Sequence, residues 1–159
     1  MAATIEMLER DIPEIESVEK GSNKWVDLMN DAIWNAGVNT ITDISICDYM
    51  LVVAHDSGYS SGIAHAIRNL GYFHLWIGEG PKIAASLAQD AIKRFRKLSN
   101  RFSEATAWDI LALCYSRLGS LNKALEHTVT SMNIFESVGY KIGIAWGYHN
   151  MGMIYHQAG

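Results

Sequence analysis

The stretch WDILALCYSRLG, residues 108–119, is the clearest copy of a pattern that recurs along this chain. Within it Trp108, Leu111 and Tyr115 recur at the spacing of one helix face, and a glycine closes the segment. The stretch YHNMGMIYHQAG at 148–159 has the same order of aromatic, apolar, small and aromatic residues before its own glycine. The two stretches are 40 residues apart, which indicates an internal repeat.

The repeat extends over most of the chain. Glycines at 37, 78, 119 and 159 are spaced by 41, 41 and 40 residues, and alanines at 64, 105 and 145 precede the last three by 14. A second set of breaks falls at Gly58, Ser99 and Gly139. Two breaks in each period, about 20 residues apart, predict two helices per repeat. The predicted helices are 24–36, 40–57, 61–77, 81–98, 102–118, 122–138 and 142–158.

This pattern resembles the tetratricopeptide repeat, W-x2-L-G-x2-Y before a turn glycine, in an extended form of about forty residues. The resemblance covers residues 23–159. The first copy is degenerate, since Asn30 occupies its small-residue position, and the second has His74 where the family has tyrosine. The resemblance implies an all-α fold: a right-handed superhelical stack of antiparallel helical hairpins, an α-solenoid. We expect about three and a half repeats, at 23–58, 59–99, 100–139 and 140–159. Residues 1–22 are acidic and form a cap helix or a tail.

In this family the first helix of each repeat lines a concave groove where ligands bind. Counting thirteen, ten, six, three and two residues back from each turn glycine transfers the groove positions to this chain. The binding residues that we single out from this count are Asp27, Asp31, Trp34, His65, Arg68, Tyr72, Trp76, Asp109, Leu113, Arg117, Trp146, His149 and Met153. Large aromatic residues with interspersed arginine are typical of surfaces that bind a peptide or a partner helix. The alternative is that a neighbouring repeat, the N-terminal segment or a second copy of the chain covers these aromatics.

Composition limits the class of function. Apolar residues make up 49% of the 159 residues and charged residues 19%, which is typical of a globular protein. The net charge of −4 disfavours a nucleic-acid partner. No apolar run reaches the roughly 20 residues of a membrane span. We expect no membrane partner and a cytoplasmic location, with Cys47 and Cys114 as free thiols.

Three patterns raise the question of catalysis. GYSSG at 58–62 has the letters of a serine-hydrolase motif, but the residues in register with Ser60 are Arg101 and Lys141, and no strand is predicted before it. We therefore expect a turn, with Ser60 or Ser61 capping the next helix. GEGP at 78–81 lacks the lysine of a phosphate loop, and the six histidines lack metal-ligand spacing. We expect no catalytic residue, no metal and no cofactor.

The resulting hypothesis is a non-catalytic TPR module that binds a protein or peptide ligand in its concave groove. By resemblance it is the N-terminal sensory or regulatory part of a larger bacterial signalling protein, such as a diguanylate cyclase. The helix at 142–158 has no hairpin partner in this sequence, so we expect its flank of Trp146, Met151, Ile154 and Tyr155 to be exposed. Either the sequence is a piece of a longer protein, which we favour, or two copies cap each other. The alternative function is therefore an oligomerisation module that forms a homodimer through the terminal helix and the aromatic face.

Overall fold

The computed structural model describes residues 1–77 and 80–159, and this part of the chain is all α-helical, without a strand. The predicted all-α class is therefore confirmed. The helices are α1 Ala2–Arg10, α2 Asn23–Thr40, α3 Ser45–Asp56, α4 Ser60–Trp76, α5 Pro81–Lys97, α6 Arg101–Arg117, α7 Leu121–Ser137 and α8 Lys141–Ala158, with a 3-10 turn at Ile15–Ser17. The turn glycine predicted at Gly78 lies outside the described residues.

The breaks between hairpins are confirmed at Gly58, Ser99 and Gly139, whose φ angles are 65°, 54° and 72°. After each break, the next backbone N–H donates to the carbonyl five residues earlier, for example Tyr140 N to Phe135 O at 2.8 Å. This bond satisfies a carbonyl that the helix end would leave free, and it requires the left-handed conformation at the break.

Two local predictions are wrong. The helix predicted at 40–57 begins at Ser45, because Asp43 Oδ1 accepts the Ser45 N–H at 3.0 Å and starts the helix there. The predicted serine cap of α4 is absent: its N-cap is Tyr59, without a side-chain cap bond, and Ser60 is the first helical residue.

The helices form two layers. Helices α2, α4, α6 and α8 contact one another in sequence and form one row, and α3, α5 and α7 pack against their chain neighbours beside it. Small residues allow the close approach within a hairpin. A Cβ added at Gly71 of α4 would already lie 3.3 Å from Leu87 Cβ of α5. The predicted helical stack is therefore confirmed for this part of the chain.

The N-terminal helix α1 packs against the start of this stack. Ile5 and Leu8 are buried, and Trp25 Nε1 of α2 donates to Glu9 Oε1 at 3.1 Å. None of the described helices has the length and apolar character needed to cross a membrane.

Candidate functional site

The row α2, α4, α6 and α8 encloses two adjoining cavities. The first has a volume of about 360 Å³ and is lined by Trp34, Asn35, Tyr72, Thr106, Asp109, Ile110, Leu113 and Trp146. The second, of about 580 Å³, is lined by Asp27, Asp31, Trp34, Asn35, Ser61, His65, Arg68, Asn100, Phe102, Ser103, Tyr140 and Trp146. Both cavities share Trp34 and Asn35 of α2 and Trp146 of α8. The row therefore curves enough for its first and last helices to border one groove.

Nine of the thirteen residues singled out from the sequence line this groove. They are Asp27, Asp31, Trp34, His65, Arg68, Tyr72, Asp109, Leu113 and Trp146. The other four, Trp76, Arg117, His149 and Met153, line neither cavity. The count from the turn glycines brings together residues from four helices because equivalent positions on stacked helices face the same side.

The residues Trp76 and Arg117 form a separate pair. The Arg117 guanidinium lies 4.0 Å from the centroid of the Trp76 ring, and its Nη1 donates to the Leu75 carbonyl at 2.6 Å. This cation–π pair joins the C-terminal ends of α4 and α6. His149 and Met153 are exposed on α8.

Arg68 lines the second cavity and also packs inside the protein. Arg68 is buried, its guanidinium lies 4.0 Å from the centroid of the Trp34 ring, and its Nε and Nη2 donate to Asn69 Oδ1. Burial lowers the pKa of Arg68 to about 9, against the raising effect of Asp31, so the group stays charged at neutral pH. Replacing Arg68 would therefore disturb packing together with binding.

An asparagine pair ties the first two hairpins together. Asn69 Nδ2 donates to the Asn30 carbonyl at 2.9 Å, and Asn30 Nδ2 donates to the Gly62 carbonyl at 3.3 Å. Both side chains are buried. Asn30, which made the first repeat look degenerate, therefore forms buried hydrogen bonds between α2 and α4.

The titratable groups of the groove have environments that differ from water. Burial is the largest cause of each pKa shift in the groove. It raises the pKa of Asp109 to about 6 and also raises the pKa of Asp31. It lowers the pKa of His65 to about 4. Asp109 Oδ1 accepts a hydrogen bond from Asn150 Nδ2 of α8 at 3.2 Å, and Asp27 Oδ2 accepts one from the Tyr59 hydroxyl at 2.7 Å. His65 is therefore neutral at neutral pH, and its Nε2 lies 3.1 Å from Ser103 Oγ.

Of the patterns that raised the question of catalysis, Ser61 of GYSSG and one histidine, His65, line the second cavity, and Ser60 does not. Ser60 is exposed at the start of α4, beside Asp90, Lys93, Arg94 and Lys97. Both cysteines are free and buried, and burial raises the pKa of each thiol to about 12. Across residues 1–77 and 80–159, no three His, Cys, Asp or Glu side chains are placed to hold a metal ion.

Sequence reasoning missed a third cavity, of about 410 Å³, between α5, α6 and α7. Trp108 and Tyr115 line it, and the His127 ring lies 5.0 and 5.2 Å from theirs. Both aromatics are half-buried and pack against the core. The groove residues Ser61, Asn100, Phe102 and Tyr140 were also missed, because they lie at helix starts outside the counted positions.

No protein-family model and no curated protein matches this chain. The geometry of the groove is therefore the basis for a proposal about function.

Proposed function

We propose that this chain is a non-catalytic binding module of the tetratricopeptide-repeat type, with a protein or peptide ligand in the groove of α2, α4, α6 and α8. The observation that carries the proposal is the pair of adjoining cavities that these four helices share. A groove of this kind, whose walls combine aromatic rings with charged and polar side chains, suits an extended peptide or a helix face.

The walls of the groove support ligand binding over covering by the N-terminal segment. Trp146 keeps 42% of its surface exposed, and Trp34 and Tyr72 are only half-buried. α1 packs on α2, with Ile5 and Leu8 in the core, and no described residue of 1–22 lines either cavity. Within one copy of the chain, the described N-terminal segment therefore leaves the groove aromatics open.

The repeat itself supports the family assignment. The breaks at Gly58, Ser99 and Gly139 share one conformation, and α4–α5 and α6–α7 are successive helical hairpins. We extend the proposal to a right-handed superhelix and to a sensory or regulatory role in a larger bacterial signalling protein, with no activity in this chain. The support for that extension is the resemblance of the repeat.

A peptide library displayed on phage tests the proposal, because selection from a random library works without an identified ligand. We expect enriched peptides that bind the intact chain and lose affinity for Trp146→Ala and Tyr72→Ala. Tyr148→Ala is the matched control, since Tyr148 is 66% exposed on α8 and lines neither cavity. Peptides whose affinity is unchanged by both groove substitutions would contradict binding in the groove.

A second candidate function, homodimerisation through α8, has a specific observation in its favour. Tyr148, Gly152 and Tyr155 occupy the positions in α8 that Trp108, Ala112 and Tyr115 occupy in α6. In α6 the His127 ring of α7 lies 5.0 and 5.2 Å from the Trp108 and Tyr115 rings. In α8 Tyr148 is 66% and Tyr155 58% exposed, and a Cβ at Gly152 would meet nothing within 4 Å. Exposed apolar surface of this kind favours association.

The expected exposure of the α8 flank is only partly correct. Trp146 and Tyr155 are exposed, but Met151 is half-buried and Ile154 is 1% exposed because it faces the core. Light scattering over a wide concentration range tests dimerisation: we expect a dimer that dissociates in the double variant Tyr148→Ser, Tyr155→Ser. A chain that stays monomeric throughout would rule out this second function.

A further inference from the structure

The first cavity combines three aromatic rings with one carboxylate. Trp34, Tyr72 and Trp146 come from three helices, and Asp109 comes from a fourth. Among the residues that the structure describes, no cationic side chain lines this cavity. Aromatic faces carry negative electrostatic potential, so a cavity lined by aromatic rings and a carboxylate attracts a positive charge.

Each of these rings contacts at least one other aromatic ring of the chain. The centroids of Trp34 and Tyr72 are 5.3 Å apart, with the planes tilted by 57°. The Trp146 ring contacts Tyr140 and Phe135, at 5.9 and 6.5 Å between centroids. A ligand that enters between rings packed in this way orders less of the protein, which lowers the entropic cost of binding.

The protein already places a cation on one of these rings. The Arg68 guanidinium lies 4.0 Å from the centroid of the Trp34 ring, and Arg68 lines the second cavity and not the first. Arg68 therefore takes up one face of the Trp34 ring, on the side of the second cavity, and does not line the first.

The charges around the groove favour a cation as well. Within residues 1–77 and 80–159, its two cavities are lined by three carboxylates, Asp27, Asp31 and Asp109, against the single charged base Arg68, with His65 neutral. Asp109 accepts one hydrogen bond at Oδ1, from the neutral amide of Asn150. A cation in the first cavity would supply a countercharge to Asp109.

We propose that the first cavity binds the cationic side chain of a lysine or arginine in the ligand. The inference rests on the proposed function, because it names the chemistry that the groove recognises in a peptide. The aliphatic part of the side chain packs on Leu113 and Ile110, and its charged end lies among the three rings beside Asp109.

Three pentapeptides with capped ends test the charge preference directly. Four of the five residues in each are glycine, and the central residue is lysine in one peptide, norleucine in the second and glutamate in the third. The readout is the shift of the indole N–H resonances of the protein in NMR spectra, assigned with Trp34→Phe and Trp146→Phe. We expect the lysine peptide to shift the Trp34 and Trp146 signals and to bind ~3–30-fold more tightly than the norleucine peptide.

Variants separate the charge effect from shape. Asp109→Asn keeps the size of the side chain and should remove most of the preference for lysine over norleucine. Trp146→Leu should weaken the lysine peptide, and Tyr148→Leu on the open side of α8 should not. Circular dichroism checks that each variant stays folded.

Equal binding of the lysine and norleucine peptides, or tighter binding of the glutamate peptide, would overturn the inference and leave a groove-binding function standing. The absence of any shift at Trp34 and Trp146 with all three peptides would also overturn it. The phage selection tests the proposed function separately, because it does not depend on the charge of the peptide.

Discussion

At the scale of single residues, Asp109 links stability to binding. Its buried environment disfavours the ionised carboxylate that would bind a cation. Its carboxylate lies at the wall of the first cavity, and burial raises its pKa from 3.8 to about 6. Around it, Tyr72 of α4, Ser131 of α7 and Asn150 of α8 supply polar groups without charge. An ionised carboxylate there destabilises the fold, as is common at functional sites.

The prediction at this scale concerns the pH dependence of stability. Between pH 3.8 and about 6 the folded state keeps a proton on Asp109 that the unfolded state has lost, so stability falls as pH rises through this interval and the loss is complete above it. Asp109→Asn removes the loss, and we expect a gain of ~1–3 kcal/mol in the free energy of unfolding at neutral pH that disappears near pH 4.

Urea unfolding at the two pH values measures the effect. The control is Asp90→Asn, since Asp90 forms a partly exposed ion pair with Arg94 at 3.0 Å and should change stability by less than ~1 kcal/mol. A gain that is the same at both pH values would show that the Asp109 carboxylate is not destabilised in the folded protein.

At the scale of the helices, the three breaks between hairpins have the same backbone conformation. Ser99 is the one of the three that is not a glycine. The equivalent residues Gly58 and Gly139 adopt left-handed φ angles at little cost, but Ser99 holds φ at 54° with a side chain. A Cβ at Gly58 or Gly139 would meet nothing within 4 Å, so the cost at these positions comes from the backbone and not from crowding.

We therefore expect Ser99→Gly to raise the thermal midpoint, by relief of ~0.5–1 kcal/mol of strain. The matched substitution Gly139→Ser should lower stability by a similar amount, because it creates the conformation that Ser99 adopts. Calorimetry on the two variants and their combination measures both effects. Changes of the same sign in both variants would contradict the explanation.

At the scale of the whole molecule, stability is distributed unevenly along the stack. α4 contains eleven buried residues and α6 ten, but α8 contains four, because its outer side has no described helix packed on it. In a stack of repeats each unit is stabilised by its neighbours, so an element covered on one side opens first.

Hydrogen exchange followed by mass spectrometry should show this gradient, with amides of α8 exchanging faster than those of α4 and α6 at low protein concentration. If α8 pairs with a second copy, protection of α8 should rise with protein concentration while that of α4 stays constant. Equal protection of all three helices in the dilute monomer would contradict a stack stabilised by its neighbours.

The sequence by itself determined the all-α class and most helix bounds, apart from the start of α3 and the end of α2 at Thr40. The helices and their breaks follow from local properties: a 3.6-residue period, a residue that closes a helix, and a repeat of about forty residues. The resemblance to the tetratricopeptide repeat then implied that Trp34, Tyr72, Asp109 and Trp146 share the groove side. Their spacing along the chain could not show that the row curves until α2 and α8 share a cavity.

The tertiary structure decided which of these groups remain available to a ligand. Arg68 has the appearance of an exposed recognition residue in the sequence, but it is buried against Trp34 and Asn69. Trp76 is likewise paired with Arg117 outside the groove, and Asp109 stands at its wall with a raised pKa. Burial, stacking and desolvation depend on contacts between residues about forty positions apart, and for that reason only the folded chain fixes them.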